Sequence, residues 1–370
     1  MNTVRPGVDA GLVEGRDVVQ ETIEGLQEIR ELAHQFAADR LRPNVERWDH
    51  DRGVDAGVRA QLAELGFHGM LVPEARGGLE FPLATCAAVL EEIAWGEPAA
   101  AFALLGSASV ASFLSGRAGP APSWLESLAS GERTGGIAVA AGPAGSLTVT
   151  QSGDSLRLEG SARWILRSGG PDLLLLGAHG RGGPQRIVVP GDVAGLTTGD
   201  REATLGLRAA RIEPLRLSGV EVAAAAGGEG GRSQLVEWIG TAAIAVGIAR
   251  AAFEHATGYA AVREQFNQKL RAFQGIRVKL ADMSARVAAA RALTLDAAVA
   301  GSMASAAAAK VFASETAMAV ATQAVQVFGG YGYMRDYPVE KTMRDAKATE
   351  IFTGTNDQCR EIVAAALYSD

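Results

Sequence analysis

Cysteine, histidine and surplus positive charge are all scarce in this chain of 370 residues. Its only thiols, Cys86 and Cys359, lie far apart. That excludes a disulfide scaffold and a cysteine-built zinc site, and it suits a reducing compartment. The five histidines (His34, His50, His68, His179, His255) show no ligand spacing, so no metal centre is expected. Acidic residues outnumber basic ones for a formal net charge of -7, which argues against a nucleic-acid binder. No apolar run reaches the ~18 to 20 uninterrupted residues of a membrane span. The N-terminus carries Asp9, Glu14 and Asp17 without an apolar block, so a signal peptide is not expected and the cytoplasm is the default address. A Walker lysine loop, HExxH and GxSxG are all missing. What remains is a chain 48% hydrophobic and 21% charged, long enough for two or three packing units around a sizeable core.

The periodicity changes twice. Ile23, Leu26, Ile29, Ala33, Phe36 and Leu41 recur at helical spacing, and helical patterns continue to about residue 132, broken by a loop at Val72-Pro73-Glu74 and Gly77-Gly78. From about 135 to 226, short runs such as 173–176 and Ile187-Val188-Val189 alternate with Gly, Pro and Asp, the punctuation of strands in a small barrel or sandwich. After the glycine-rich 227–231, long alanine-rich helical patterns return near 234–265, 272–300, 302–328 and 355–367, as in a bundle. The spacing predicts helical residues 1–135, a β-domain at 136–227 and a helical domain at 228–370.

The most informative stretch is Gln326-Val327-Phe328-Gly329-Gly330-Tyr331-Gly332-Tyr333, followed by Tyr337-Pro338-Val339-Glu340-Lys341 and Arg344-Asp345-Ala346-Lys347. Gly329-Gly330 reads equally as a helix stop and as bare backbone that can approach a diphosphate. Arg263 in Arg263-Glu264-Gln265-Phe266, with Phe273-Gln274 after it, adds a possible phosphate grip. In order and spacing these segments, with Lys279 to Met283 and Gly354-Thr355, resemble the acyl-CoA dehydrogenase family. Weaker matches are Val72-Pro73-Glu74 and Leu90-Glu91-Glu92-Ile93-Ala94.

The resemblance implies an α+β multidomain fold: an N-terminal helical domain, a middle β-barrel domain and a C-terminal four-helix bundle. It also implies FAD, with the flavin between the β-domain and the C-terminal helices and its ADP half reaching a neighbouring subunit of a homodimer or homotetramer. Carried over by motif, Arg263, Phe266, Gln274, Gln326, Gly329, Gly330 and Thr355 hold the diphosphate and adenosine, and Trp164 flanks the flavin. The substrate is an acyl thioester on CoA or a carrier, and the electron acceptor is an electron-transferring flavoprotein.

Departures from the family decide the chemistry. The slot before Gly354-Thr355 that often holds a catalytic glutamate holds Thr353, whose hydroxyl cannot take an α-proton at neutral pH. Twenty-six residues before Arg263 stands Glu237, the slot used by a branch resembling isovaleryl- and long-chain-specific dehydrogenases. Glu237 is therefore the expected base, and an unpaired carboxylate in its apolar surroundings has a raised pKa. The bland alternative is a partly solvated glutamate near a helix N-terminus. The backbone N–H of Thr353 is expected to polarise the thioester carbonyl. Ser146, the end of a reduced glycine-rich segment, is the second substrate contact. Hydroxyls that usually meet the flavin are replaced by Ala140 and Leu166, a following arginine by Trp238, and a polar substrate contact by Leu235. These losses keep two other readings open: an oxygen-using monooxygenase or oxidase acting on a non-CoA or carrier-bound substrate, and a non-catalytic subunit of a hetero-oligomer.

Overall fold

Apolar spacing of three and four residues, with proline and glycine at the breaks, sets the first third of the chain. A computed structural model describes residues 25–138, 147–167 and 172–368. Helix α1 (residues 25–36) widens into a π turn at Ala37–Leu41 just before Pro43, which has no N–H to continue the ladder. Two short helices follow, α2 (Val45–Asp51) and α3 (Ala56–Glu64). The long pair α4 (Leu83–Gly96) and α5 (Pro98–Leu114) is divided at Glu97, which caps α5 by accepting the Ala99 N–H at 3.1 Å. Helix α5 is apolar on all sides and buried on nearly all of them, as a central helix must be. Helix α6 (Ala121–Ala129) leads into the sheet.

Strands run from Thr134 to Gly228. They are β1 (Thr134–Ala138), β2 (Leu147–Ser152), β3 (Ser155–Arg167), β4 (Asp172–Gly180), β5 (Gly183–Pro190), β6 (Leu196–Thr198), β7 (Arg211–Ala223) and β8 (Gly227–Gly228). The order is β6-β7-β3-β1-β4-β5-β8, and β2 continues the slot of β1 by pairing with both β3 and β4. The sheet curls around a core of its own. Leu174, Leu176, Ile187 and Val189 point into that core, while Leu173, Leu175 and Val188 join the core shared with the helices. The two-residue period of a strand thus splits one leucine run between two cores. Helix α5 lies directly on β1: a Cβ added at Gly106 would stand 2.4 Å from the Gly135 carbonyl oxygen.

The C-terminal bundle consists of α7 (Gly231–Val262), α8 (Gln274–Ala300), α9 (Met303–Phe328), α10 (Pro338–Thr349) and α11 (Asn356–Leu367). A tight hairpin, β9 (Glu264–Gln265) and β10 (Gln268–Lys269), separates α7 from α8. Helix α7 is long and apolar enough to cross a bilayer by length and composition, although polar residues interrupt its apolar run. Most of its apolar window is instead buried in the protein, so it serves as a core helix.

Candidate active site

One face of α7 builds the floor of the site. Gln234, Glu237, Trp238 and Thr241 recur three and four residues apart and so share a side of the helix. That side meets the turn between α10 and α11 at Thr353. Gln234 Nε2 and Trp238 Nε1 donate to the Thr353 carbonyl at 2.9 and 3.0 Å, and the Thr241 and Thr353 hydroxyls are 2.9 Å apart. Thr353 has a left-handed backbone, φ +59°, an uncommon state for a β-branched residue that these contacts hold in place. Its own N–H has no backbone acceptor among the described residues. Lys310 of α9, fully buried, braces the same turn by donating to Glu350 O (3.1 Å), Gly354 O (2.7 Å) and Asn356 Oδ1 (2.8 Å). Burial pushes the Lys310 pKa down to about 8.

The opposite wall comes from β3 and β5. Between Ala162 and Ile165 the register of β3 slips against β7, so Arg163 and Trp164 stand opposite the single residue Pro214, which lacks an N–H to pair. This bulge gives Trp164 a φ of +56° and turns its ring into the cleft, where it stays 36% exposed. The cleft between floor and wall holds a cavity of about 490 Å³, lined by Trp164, Arg186, Gln234, Glu237, Met303 and Thr353, among others. Three of the residues singled out in the sequence, Trp164, Glu237 and Thr353, therefore share one cavity. Ser146 and Ala140 lie outside the described residues. Leu166, in the hydroxyl slot, is buried in the helical core.

Glu237 is neither unpaired nor partly solvated, and both expectations need correction. Only 2% exposed, it receives both Nη atoms of Arg186 from β5, Nη1 on Oε1 and Nη2 on Oε2 at 2.9 Å. Gln234 Nε2 adds a third hydrogen bond, to Oε2 at 3.2 Å. Burial acts to lower the Arg186 pKa, but the Glu237 charge outweighs it and the net shift is upward. The apolar sequence around Glu237 gave no hint of this partner, which comes from another domain. The available signal was a lone arginine set directly before the Ile187-Val188-Val189 run. Gln234, Thr241 and Lys310 were likewise not anticipated.

The residues expected to hold the diphosphate and adenosine gather elsewhere. The Arg263 guanidinium lies 5.1 Å from the Tyr331 ring, beside Gly329 and Gly330 at the end of α9. A Cβ at either glycine would meet nothing within 4 Å, so their backbone is open to an approaching group. Gln326 is exposed in the last turn of α9. Phe266 and Asn267 form the two-residue turn of the β9–β10 hairpin with φ of +52° and +60°. Such turns favour Asn-Gly, and a phenylalanine there is displayed rather than packed: Phe266 is 87% exposed, meeting Phe273 edge-on at 6.3 Å just before Gln274 opens α8. None of these six lines the cleft. Thr355 caps α11 in a reciprocal box with Gln358.

Comparison with known proteins accords with this geometry. Residues 24–132 match the family model for the acyl-CoA dehydrogenase N-terminal domain, and residues 235–368 match that for the C-terminal domain. The chain is 34% identical to an acyl-CoA dehydrogenase of Bacillus subtilis, over 92% of this chain and 97% of that one. It is 32% identical to the short-chain-specific acyl-CoA dehydrogenase of Megasphaera elsdenii, with the same coverage. Butyryl-CoA dehydrogenase from Megasphaera elsdenii superposes with a TM-score of 0.86 at 31% identity, covering 93% of this chain and 98% of that one. A chain from a study of the electron transferring flavoprotein of Acidaminococcus fermentans gives 0.87 at 30% identity, with the same coverage. This chain belongs to the acyl-CoA dehydrogenase family.

Proposed function

We propose that the chain is an FAD-dependent acyl-CoA dehydrogenase in which Glu237 takes the α-proton of an acyl thioester held in the cleft. The observation that carries this reading is the placement of a buried, charge-paired carboxylate in the same 490 Å³ cavity as Trp164 and Thr353. The residues suit FAD: a partly exposed tryptophan at a cleft wall for the ring system, and side-chain-free backbone at Gly329-Gly330 beside Arg263 for the diphosphate. When bound, FAD supplies the acceptor for the β-hydrogen as hydride. The protein supplies the rest. Glu237 accepts the proton, and the Thr353 N–H, aimed by the Trp238 and Gln234 bonds to its residue, polarises the thioester carbonyl. Burial of Glu237 to 2% exposure limits water around the carboxylate.

Arg263, Phe266, Gln274, Gln326, Gly329 and Gly330 sit apart from the cleft on one chain, which supports a diphosphate and adenosine site shared with a second copy in a homodimer or homotetramer. Thr355 belongs with this group by motif position. Electrons then pass to an electron-transferring flavoprotein, and the cytoplasm is the compartment.

Anaerobic mixing with a panel of acyl-CoA thioesters tests the activity by bleaching of the flavin band. Glu237→Gln should keep FAD, because the change is nearly isosteric, and slow bleaching by about 10² to 10⁴-fold. Bleaching at the wild-type rate would remove Glu237 from the mechanism.

A further inference from the structure

The arginine on β5 has a neighbourhood built to let it cross the cleft. Its register partners on either side are Gly177 of β4 and Gly228 of β8, neither of which has a side chain to crowd it. Gly230, at the start of α7, lies so close that a Cβ there would stand 2.3 Å from Arg186 Cδ. Through this gap the guanidinium leaves the sheet and reaches the C-terminal bundle, where Nη1 also donates to Ser233 Oγ at 3.0 Å and Nη2 to Gln234 Oε1 at 2.5 Å. Gln234 in turn donates to Glu237 and to the Thr353 carbonyl. One planar fork thus organises the carboxylate, the amide beside it and, through that amide, the turn carrying Thr353. A lysine, with a point charge and no fork, cannot reproduce this geometry.

An ionised carboxylate offers about four acceptor positions. Among the described residues, Glu237 Oε2 uses two, for Arg186 Nη2 and Gln234 Nε2, and Oε1 uses one, for Arg186 Nη1. We propose that Arg186 is the positioning residue for the base: it turns the carboxylate so that a single acceptor position, on Oε1, is left to take the substrate α-proton. The proposal rests on Glu237 being that base. In the step itself the α C–H bond breaks, an O–H bond forms on Oε1, and the electron pair stays on the acyl group. Glu237 is then neutral, and the Arg186 charge that had matched it stands beside the negative charge now on the substrate. The same arginine therefore orients the carboxylate before transfer and faces the charge after it.

The test is a double-mutant cycle on the holoenzyme, using Glu237→Gln, Arg186→Gln and their combination, with Arg186→Lys as the conservative change. The readouts are the limiting rate of flavin reduction by butyryl-CoA, the butyryl-CoA concentration at half-saturation, and FAD content. Arg186→Gln should lower the limiting rate about 10 to 100-fold, as a slightly misplaced catalytic group does. It should move half-saturation less than about threefold and keep FAD, a split expected for a group that acts on the reaction step. Arg186→Lys should fall between Arg186→Gln and the wild type. In the Glu237→Gln background, Arg186→Gln should add no further loss, because its effect runs through the carboxylate. Equal losses in both backgrounds, or a wild-type rate for Arg186→Gln while Glu237→Gln is slow, overturn the positioning role and leave the base in place. A wild-type rate for Glu237→Gln overturns the base and the positioning role together. If Arg186→Gln does not fold, the cycle is run with Arg186→Lys, where several-fold loss in the wild-type background and none beside Glu237→Gln is required.

Discussion

Helix α7 takes part in two buried glutamate–arginine pairs, and they differ in one acceptor position. Near its middle, Arg250 binds Glu92 of α4; near its start, Glu237 binds Arg186 of β5. Glu92 is saturated: Oε1 accepts from Arg30 Nε and Arg250 Nη1, both at 2.7 Å, while Oε2 meets His34 Nδ1 at 2.9 Å and Arg250 Nη2. Glu91 beside it is held by Arg291 and Arg250. This cluster ties α1, α4, α7 and α8 together, and Glu92 has no acceptor position left for an incoming proton. Among the described residues Glu237 keeps one free, and it lines the cavity that also holds Trp164 and Thr353. Two carboxylates of similar burial and similar partners are thus divided into a structural joint and a candidate base by whether the hydrogen-bond shell closes.

That contrast can be broken from either side. The largest effect is expected from exchanging roles: Glu237→Gln should cost about 10² to 10⁴-fold in flavin reduction, as stated above, whereas Glu92→Ala should leave that rate close to wild type and act on stability instead. Removing Glu92 leaves buried guanidinium groups uncompensated, so unfolding free energy should fall by about 3 to 5 kcal/mol, read by denaturant titration with FAD bound. A slowing of flavin reduction by Glu92→Ala as large as that by Glu237→Gln would erase the distinction.

Acid should report on the joint next. Burial works to raise the Glu92 pKa, but hydrogen bonds and charge from Arg250, with Arg30 and His34, bring it down to about 2. A depressed folded-state pKa means stability that is full above the unfolded value near 4.5 and is lost as pH falls toward 2. The amount is about 3 kcal/mol. Unfolding free energy measured between pH 6 and 3 should therefore decline, and Glu92→Gln should flatten that decline.

A smaller effect, about 2 kcal/mol, is expected for Lys310→Met, which strips three hydrogen bonds from the turn carrying Thr353. Smaller still is Trp238→Phe, which removes one hydrogen bond from the Thr353 carbonyl, for about 1 kcal/mol and a few-fold slower flavin reduction. If Trp238→Phe leaves the rate unchanged, the indole is packing alone.

Much of this was legible in one dimension because the signals are local. Helical spacing and glycine-bounded strand runs announced the order of helices, strands and helices, and the predicted helix at 302–328 meets the observed Met303–Phe328 within a residue. The stretch from Arg263 to Thr355 carried the family resemblance through side chains and glycines whose spacing does not depend on what packs nearby. Trp164, Glu237 and Thr353 could be named from motif position. Their meeting in one cavity could not, since it needs a bulge opposite Pro214, a helix face and a left-handed turn to converge from three parts of the chain. The electrostatics of the base were also out of reach. Glu237 has apolar neighbours in sequence, and its charge partner stands 51 residues away on another domain. Sequence alone determined the order of helices and strands, the family and the candidate residues, because propensity and periodicity act over a few residues, but not the β9–β10 hairpin or α10. Tertiary structure alone decided which carboxylate shell closes and which stays open, because a buried charge answers to whatever the fold brings within hydrogen-bond reach.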